Sequence, residues 1–176
     1  MSAYYIYLIS SLPTLGLANK IPFTLEEFFI KCKGLISEKE LQLLHDFCYQ
    51  DSYSLDKVSG TILEKWTYFE IALRNELVRV RSARKKVDPL KFIRFPDSPD
   101  TQISRVALAA YRSSSILEAE KILDQQRWDF LEQLNFGHYF DFDCLIIYAL
   151  KLKILERWER IQNADKQVLF NQTILN

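Results

Sequence analysis

The chain has 176 residues, 48% of them hydrophobic, with 23 basic and 23 acidic side chains and a formal net charge of zero. That length and composition suit a folded domain with a sizeable core and exclude a disordered chain. The balanced charge leaves no whole-protein field to draw it onto nucleic acid or an anionic bilayer, and its four glycines form no phosphate-cradling loop.

The first stretch, "MSAYYIYLISSLP", is apolar but has neither a basic leader region nor a small-residue cleavage site, and it is too short to span a bilayer. It reads as a helix near 3–12, since a strand there has no obvious partner strand. Next come two capping boxes, in which an N-cap hydroxyl and a carboxylate three residues later satisfy each other's backbone amides. Thr24 and Glu27 open a helix over 25–34, flanked by Phe23 and Phe28 as a hydrophobic staple; Ser37 and Glu40 open one over 38–50, flanked by Ile36 and Leu41. The stretches 13–23 and 51–60 read as irregular connections.

A third box, Thr61 with Glu64, starts a long helix over 61–86. At 100° per residue Ile62, Trp66, Phe69, Leu73, Leu77 and Val80 form one apolar stripe, which reads as core. Arg74, Arg81 and Lys85 line one flank, with Glu70 one turn before Arg74; Arg79 and Lys86 lie on the other, and Arg84 falls near the stripe's C-terminal end. Cations in a helix's last turns complement its dipole, and their long stems cover a core. The same cations also suit docking onto an acidic partner. Nucleic-acid binding would need a readout motif, and none accompanies them.

Asp88-Pro89 and Ser98-Pro99 place proline at a first helical position, giving helices over 89–94 and 99–112. Ser115 and Glu118 make a fourth box and open a helix over 116–135, with Ile116, Ala119, Leu123, Phe130 and Leu134 on one face. Asn135-Phe136-Gly137 is a stop, with Gly137 in a left-handed conformation. Asp141 or Asp143 caps a last helix over 142–162, and residues 166–176 read as an extended tail. The two last helices read as a hairpin. Glu120, Arg127 and Lys151 are polar residues on mostly apolar faces, so an internal polar network is expected.

The fold class is therefore all-α: an irregular multi-helix bundle forming a single helical domain over 1–176, with 1–58 as a candidate N-terminal sub-lobe. Cys32, Cys48 and Cys144 form no CxxC pair and read as reduced thiols of a cytoplasmic protein. His138, near Asp141, Asp143 and Cys144, is the one tempting catalytic residue, but no converging nucleophile, base and oxyanion donors are indicated. No catalytic residue, metal site or cofactor is expected.

Three stretches together resemble a known family: "YYIYLISSLP" at 4–13, "KWTYFEIALRNELVRVRSARKKVDPLKFIR" at 65–94, and "LEAEKILDQQRWDFLEQLNFGHYFDFDCLIIYALKLKILERWE" at 117–159. They look like an uncharacterised bacterial family encoded inside operons for V-type (A-type) ATPases. The resemblance implies a non-catalytic subunit or assembly factor of that ATPase, cytoplasmic and peripheral to the inner membrane through the complex, with no membrane insertion of its own and no nucleic-acid partner. It is similar in type to the helical socket of such ATPases, which joins the central stalk to the membrane sector, but it is shorter and lacks the socket's repeated lobes. In that setting Arg74, Asn75, Arg79, Arg81, Arg84 and Lys85 are the candidate partner contacts. The rivals are a basic-helix nucleic-acid binder and an enzyme centred on His138.

Overall fold

The computed structural model describes residues 2–49, 61–95 and 97–174. Among them are seven α-helices and one 3-10 turn, and no strand. The helices are α1 (Ser2–Ser11), α2 (Leu25–Cys32), α3 (Glu38–Tyr49), α4 (Ile62–Lys85), α5 (Thr101–Arg112), α6 (Ile116–Asn135) and α7 (Phe142–Ile174). The fold is all-α. The chain divides into two compact units, one built from residues 1–51 and 135–176 and the other from 52–134. The irregular connection expected over 51–60 lies outside the described residues.

In the first unit the two capping boxes set the starts of α2 and α3. The Glu27 amide donates to Thr24 Oγ1 (3.2 Å) and the Thr24 amide to the Glu27 carboxylate (2.8 Å). Ser37 and Glu40 repeat the pattern at 3.3 and 2.9 Å. The helices α1, α2 and α3 all pack on α7, bringing Leu8, Leu25, Phe28, Leu44 and Cys48 into a core with Leu145, Ile147 and Leu152. Tyr148 ties this core together. The rings of Phe23 and Phe28 both stack on it, at 6.3 and 5.3 Å between centroids. Its hydroxyl donates to the Pro13 carbonyl at 3.0 Å. From residue 145 to 155 α7 is buried except at the half-buried Tyr148 and the exposed Lys153. The Lys153 ammonium donates back to the Cys48 carbonyl, the penultimate one of α3, at 2.5 Å.

Residues 166–174 are helical, not an extended tail: α7 runs through to Ile174. The stretch after 162 holds no glycine or proline to stop it.

In the second unit α4 is buried over more than the single stripe expected. Besides Ile62, Trp66, Phe69 and Leu73, it buries Leu63, Thr67, Ile71, Ala72, Asn75, Glu76 and Ser82. One side takes α5, through Ile103, Ala107 and Ala110. Phe130 of α6 stacks on Phe69 at 4.1 Å between centroids. Thr61 stands at the N-cap with extended backbone, but its side chain accepts no capping bond. The Ser115 box is shared: the Glu118 amide donates to Ser115 Oγ at 3.1 Å, while the Glu118 carboxylate turns to the amide and hydroxyl of Ser114. Ile116, expected on the apolar face of α6, is 85% exposed.

Two short-range expectations are corrected here. The helix over 89–94 is a single 3-10 turn, Pro89–Lys91, because the backbone of Arg94 bonds a side chain of α4 instead of continuing the helix. α5 starts at Thr101, not at Pro99, because Asp100 caps the amides of Gln102 and Ile103 at 2.7 and 3.4 Å.

Candidate partner-docking surface

The C-terminal half of α4 carries a polar row, Asn75, Glu76 and Arg79, facing the segment that follows the helix. Asn75 is 1% exposed. Its Oδ1 accepts the Arg94 amide at 2.9 Å and its Nδ2 donates to the Arg94 carbonyl at 2.8 Å. One side chain thus satisfies both backbone groups of one residue, as a neighbouring strand would. Nδ2 also reaches Asp97 Oδ1 at 3.3 Å. Arg79 donates to Glu76 at 3.1 Å and forms a second ion pair with Asp97. The hydrogen bond to Asp97, with the attraction of Asp97 and Glu76, raises the Arg79 pKa. The buried Glu76 accepts a second bond from Ser104 of α5 at 2.7 Å. Buried polar groups require such partners, and here they pin Arg94 and Asp97 to α4 and tie α4 to α5.

α4 itself ends at Lys86, whose φ of 54° turns the chain out of the helix. Asp88 caps the 3-10 turn through the Leu90 amide at 3.0 Å, and the amides of Phe92 and Ile93 both return to the Pro89 carbonyl. The result is a fixed arm over 87–95.

The six residues expected to contact a partner divide in two. Arg74, Arg81, Arg84 and Lys85 are exposed. Asn75 and Arg79 are engaged within the unit, holding the arm. The arm adds groups that sequence reasoning did not single out as surface: Lys91 and Arg94, both exposed, and the apolar Val87, Leu90, Phe92 and Phe95. Phe95 is 82% exposed and Leu90 70%. Their signal was present in "VDPLKFIRFPD", where the apolar residues sit in a segment too short to form an amphipathic helix.

Arg127, expected in an internal polar network with Glu120 and Lys151, forms ion pairs with two carboxylates. Arg127 donates to Glu70 of α4 at 2.7 Å and to Asp124, one turn earlier, at 2.8 Å. Burial disfavours its charge, but the attraction of Glu70 and its hydrogen bond, then those of Asp124, raise its pKa all the same. Glu120 is half-buried on α6, and Lys151 is buried on α7, in the first unit.

His138, Asp141 and Asp143 do converge. His138 Nδ1 lies 2.6 Å from Asp141 and 3.6 Å from Asp143, and the three potential ligand atoms fall within 4.8 Å of one another. The other oxygen of Asp141 caps α7 by accepting the Cys144 amide at 2.9 Å. An N-cap carboxylate held by a neighbouring histidine accounts for this geometry. Burial, then the charge of Asp141, raises the Cys144 thiol pKa, the reverse of what activates a nucleophilic cysteine.

Residues 101–176, under half of the chain, match a family described as "protein of unknown function (DUF2764)". No curated protein and no solved structure matches the chain. No helix among the described residues is long and apolar enough to cross a membrane.

Proposed function

We propose that this chain is a non-catalytic subunit or assembly factor of a bacterial V-type ATPase, acting by protein–protein contact. On this reading it serves as the socket between the central stalk and the membrane sector. Three stretches of the sequence that resemble the ATPase-operon family support the choice of complex. One structural observation supports the mode of action. Residues 81–94 hold six cations against the single acid Asp88, in a chain whose formal net charge is zero. Arg81, Arg84, Lys85 and Lys86 stand at the end of α4, and Lys91 and Arg94 on the arm that follows; arginine's planar fork gives directional contacts to carboxylates.

The test is gentle purification of a tagged copy from its native cells, with identification of every co-purifying protein. Catalytic and stalk subunits recovered at a fixed ratio are the expected result, and the Arg74→Glu/Arg81→Glu variant is expected to lose them. Recovery of nucleic acid instead, with binding that falls steeply with salt, would replace this reading by the nucleic-acid one.

A further inference from the structure

The arm over 87–95 combines three properties that the fold does not require together. First, Val87, Leu90, Phe92 and Phe95 stand in water, at 44%, 70%, 58% and 82% exposure. They contribute little burial to the folded state, and two phenyl rings so close in sequence on one exposed segment mark an interaction site. Second, exposed cations surround them: Arg84, Lys85, Lys86, Lys91 and Arg94. Third, the backbone beneath is fixed. Asn75 clamps both backbone groups of Arg94, Arg79 holds Asp97, and the 3-10 turn is closed on Pro89.

We infer that this arm is a preformed docking element for a protein surface that presents an apolar recess ringed by carboxylates, with Phe92 and Phe95 as its anchors. Charge complementarity sets the acidic ring. The aromatic anchors set the recess, since buried aromatic and arginine side chains carry most of the energy of such interfaces. The clamp discriminates between a protein and a lipid surface. A bilayer accepts apolar and cationic groups in almost any arrangement, so fixing their geometry gains nothing there. Fixing it before binding strengthens association with a shaped partner, because less ordering remains to be done. The inference rests on the proposed function for the partner's identity, but not for its chemistry.

The test compares wild type with Phe92→Ala/Phe95→Ala and with Lys85→Glu/Lys86→Glu. Ile116→Ala, at an equally exposed apolar site on the same unit, is the control. All of these side chains are on the surface, so circular dichroism should confirm an unchanged fold. Four probes are used: the purified head-and-stalk sector of the bacterium's V-type ATPase, a synthetic helical peptide with leucine and tryptophan on one face and glutamate on the other, vesicles one-third anionic in lipid, and a single-stranded oligonucleotide. The expected result is binding to the sector and the peptide that weakens at least about tenfold in both double variants and is unchanged in the control. If the sector binds Phe92→Ala/Phe95→Ala as well as wild type, the arm is not the docking element, although the ATPase reading stands. If the sector is not bound but the peptide is, with loss in the variants, the inference stands and the ATPase reading falls. Binding to vesicles or to the oligonucleotide alone, lost in the variants, overturns the inference. Failure to bind any probe overturns both.

Discussion

Cys32 and Cys48 sit in the core of the first unit, and burial pushes each thiol up to about 12 from an ordinary 9.0. The same cause raises Tyr5 and Tyr148, with Glu40 adding to it at Tyr5. In each case the folded state holds its proton more tightly than the unfolded chain does. The stabilisation is therefore complete below pH 9, where both states are protonated. It is lost as pH rises from about 9 towards about 12, because only the unfolded thiols ionise there. Chemical denaturation at intervals across that window should show a steep decline, to which the two thiols contribute on the order of a few kcal/mol. A Cys32→Ala/Cys48→Ala variant should decline less steeply. Equal slopes would mean that the thiols do not carry the effect. At this scale the sequence was informative about type and silent about pairing. Scattered cysteines read as unpaired thiols, and all three are free. Arg127 read as a buried cation in need of partners, but Glu70 lies far away in sequence, and only the packing of α6 on α4 brings it close.

Helix starts were the most legible elements, because a capping box is local chemistry: Thr24 and Ser37 bond within four residues of themselves. The arm after α4 was not, because its conformation is set by a distant side chain. Asn75 looked like one more polar residue beside Arg74, suited to a partner. It is instead the clamp that turns residues 89–94 from a helix into a pinned turn. Asn75→Ala should deprive both Arg94 backbone groups of their partner and lower stability by about 1–3 kcal/mol. Hydrogen exchange should locate the change, with amide protection lost at Arg94 and retained in α6. Uniform loss across the unit would show that Asn75 supports the core as a whole and not the arm. The continuation of α7 past residue 162 was also missed: no glycine or proline follows to break the helix, and it runs on to Ile174.

The segment that matches the family, 101–176, does not coincide with either compact unit. It begins with α5 and α6, whose packing partner α4 lies outside it, and ends with α7, whose partners α1, α2 and α3 also lie outside it. Expressed alone, it should lack a cooperative unfolding transition, and the buried α7 residues Leu145, Ile147 and Leu152 should make it aggregate. A fragment of 101–176 that unfolds in one sharp step would refute this division of the chain. All-α architecture followed from composition and capping. The division into units did not, since it depends on which helices meet and no local signal encodes that.

The first unit is assembled from both ends of the chain, with residues 52–134 inserted between its parts. Translation therefore imposes an order. When α1, α2 and α3 leave the ribosome, the helix that completes their core has not been made. At roughly 5–20 residues per second, the interval is on the order of ten seconds, longer than a small helical domain needs to fold. The inserted unit, contiguous in the chain, reaches its native packing first. Phe28, Leu25 and Leu44 wait with their apolar faces uncovered until α7 emerges. The newborn N-terminal helices are thus a natural substrate for ribosome-associated chaperones.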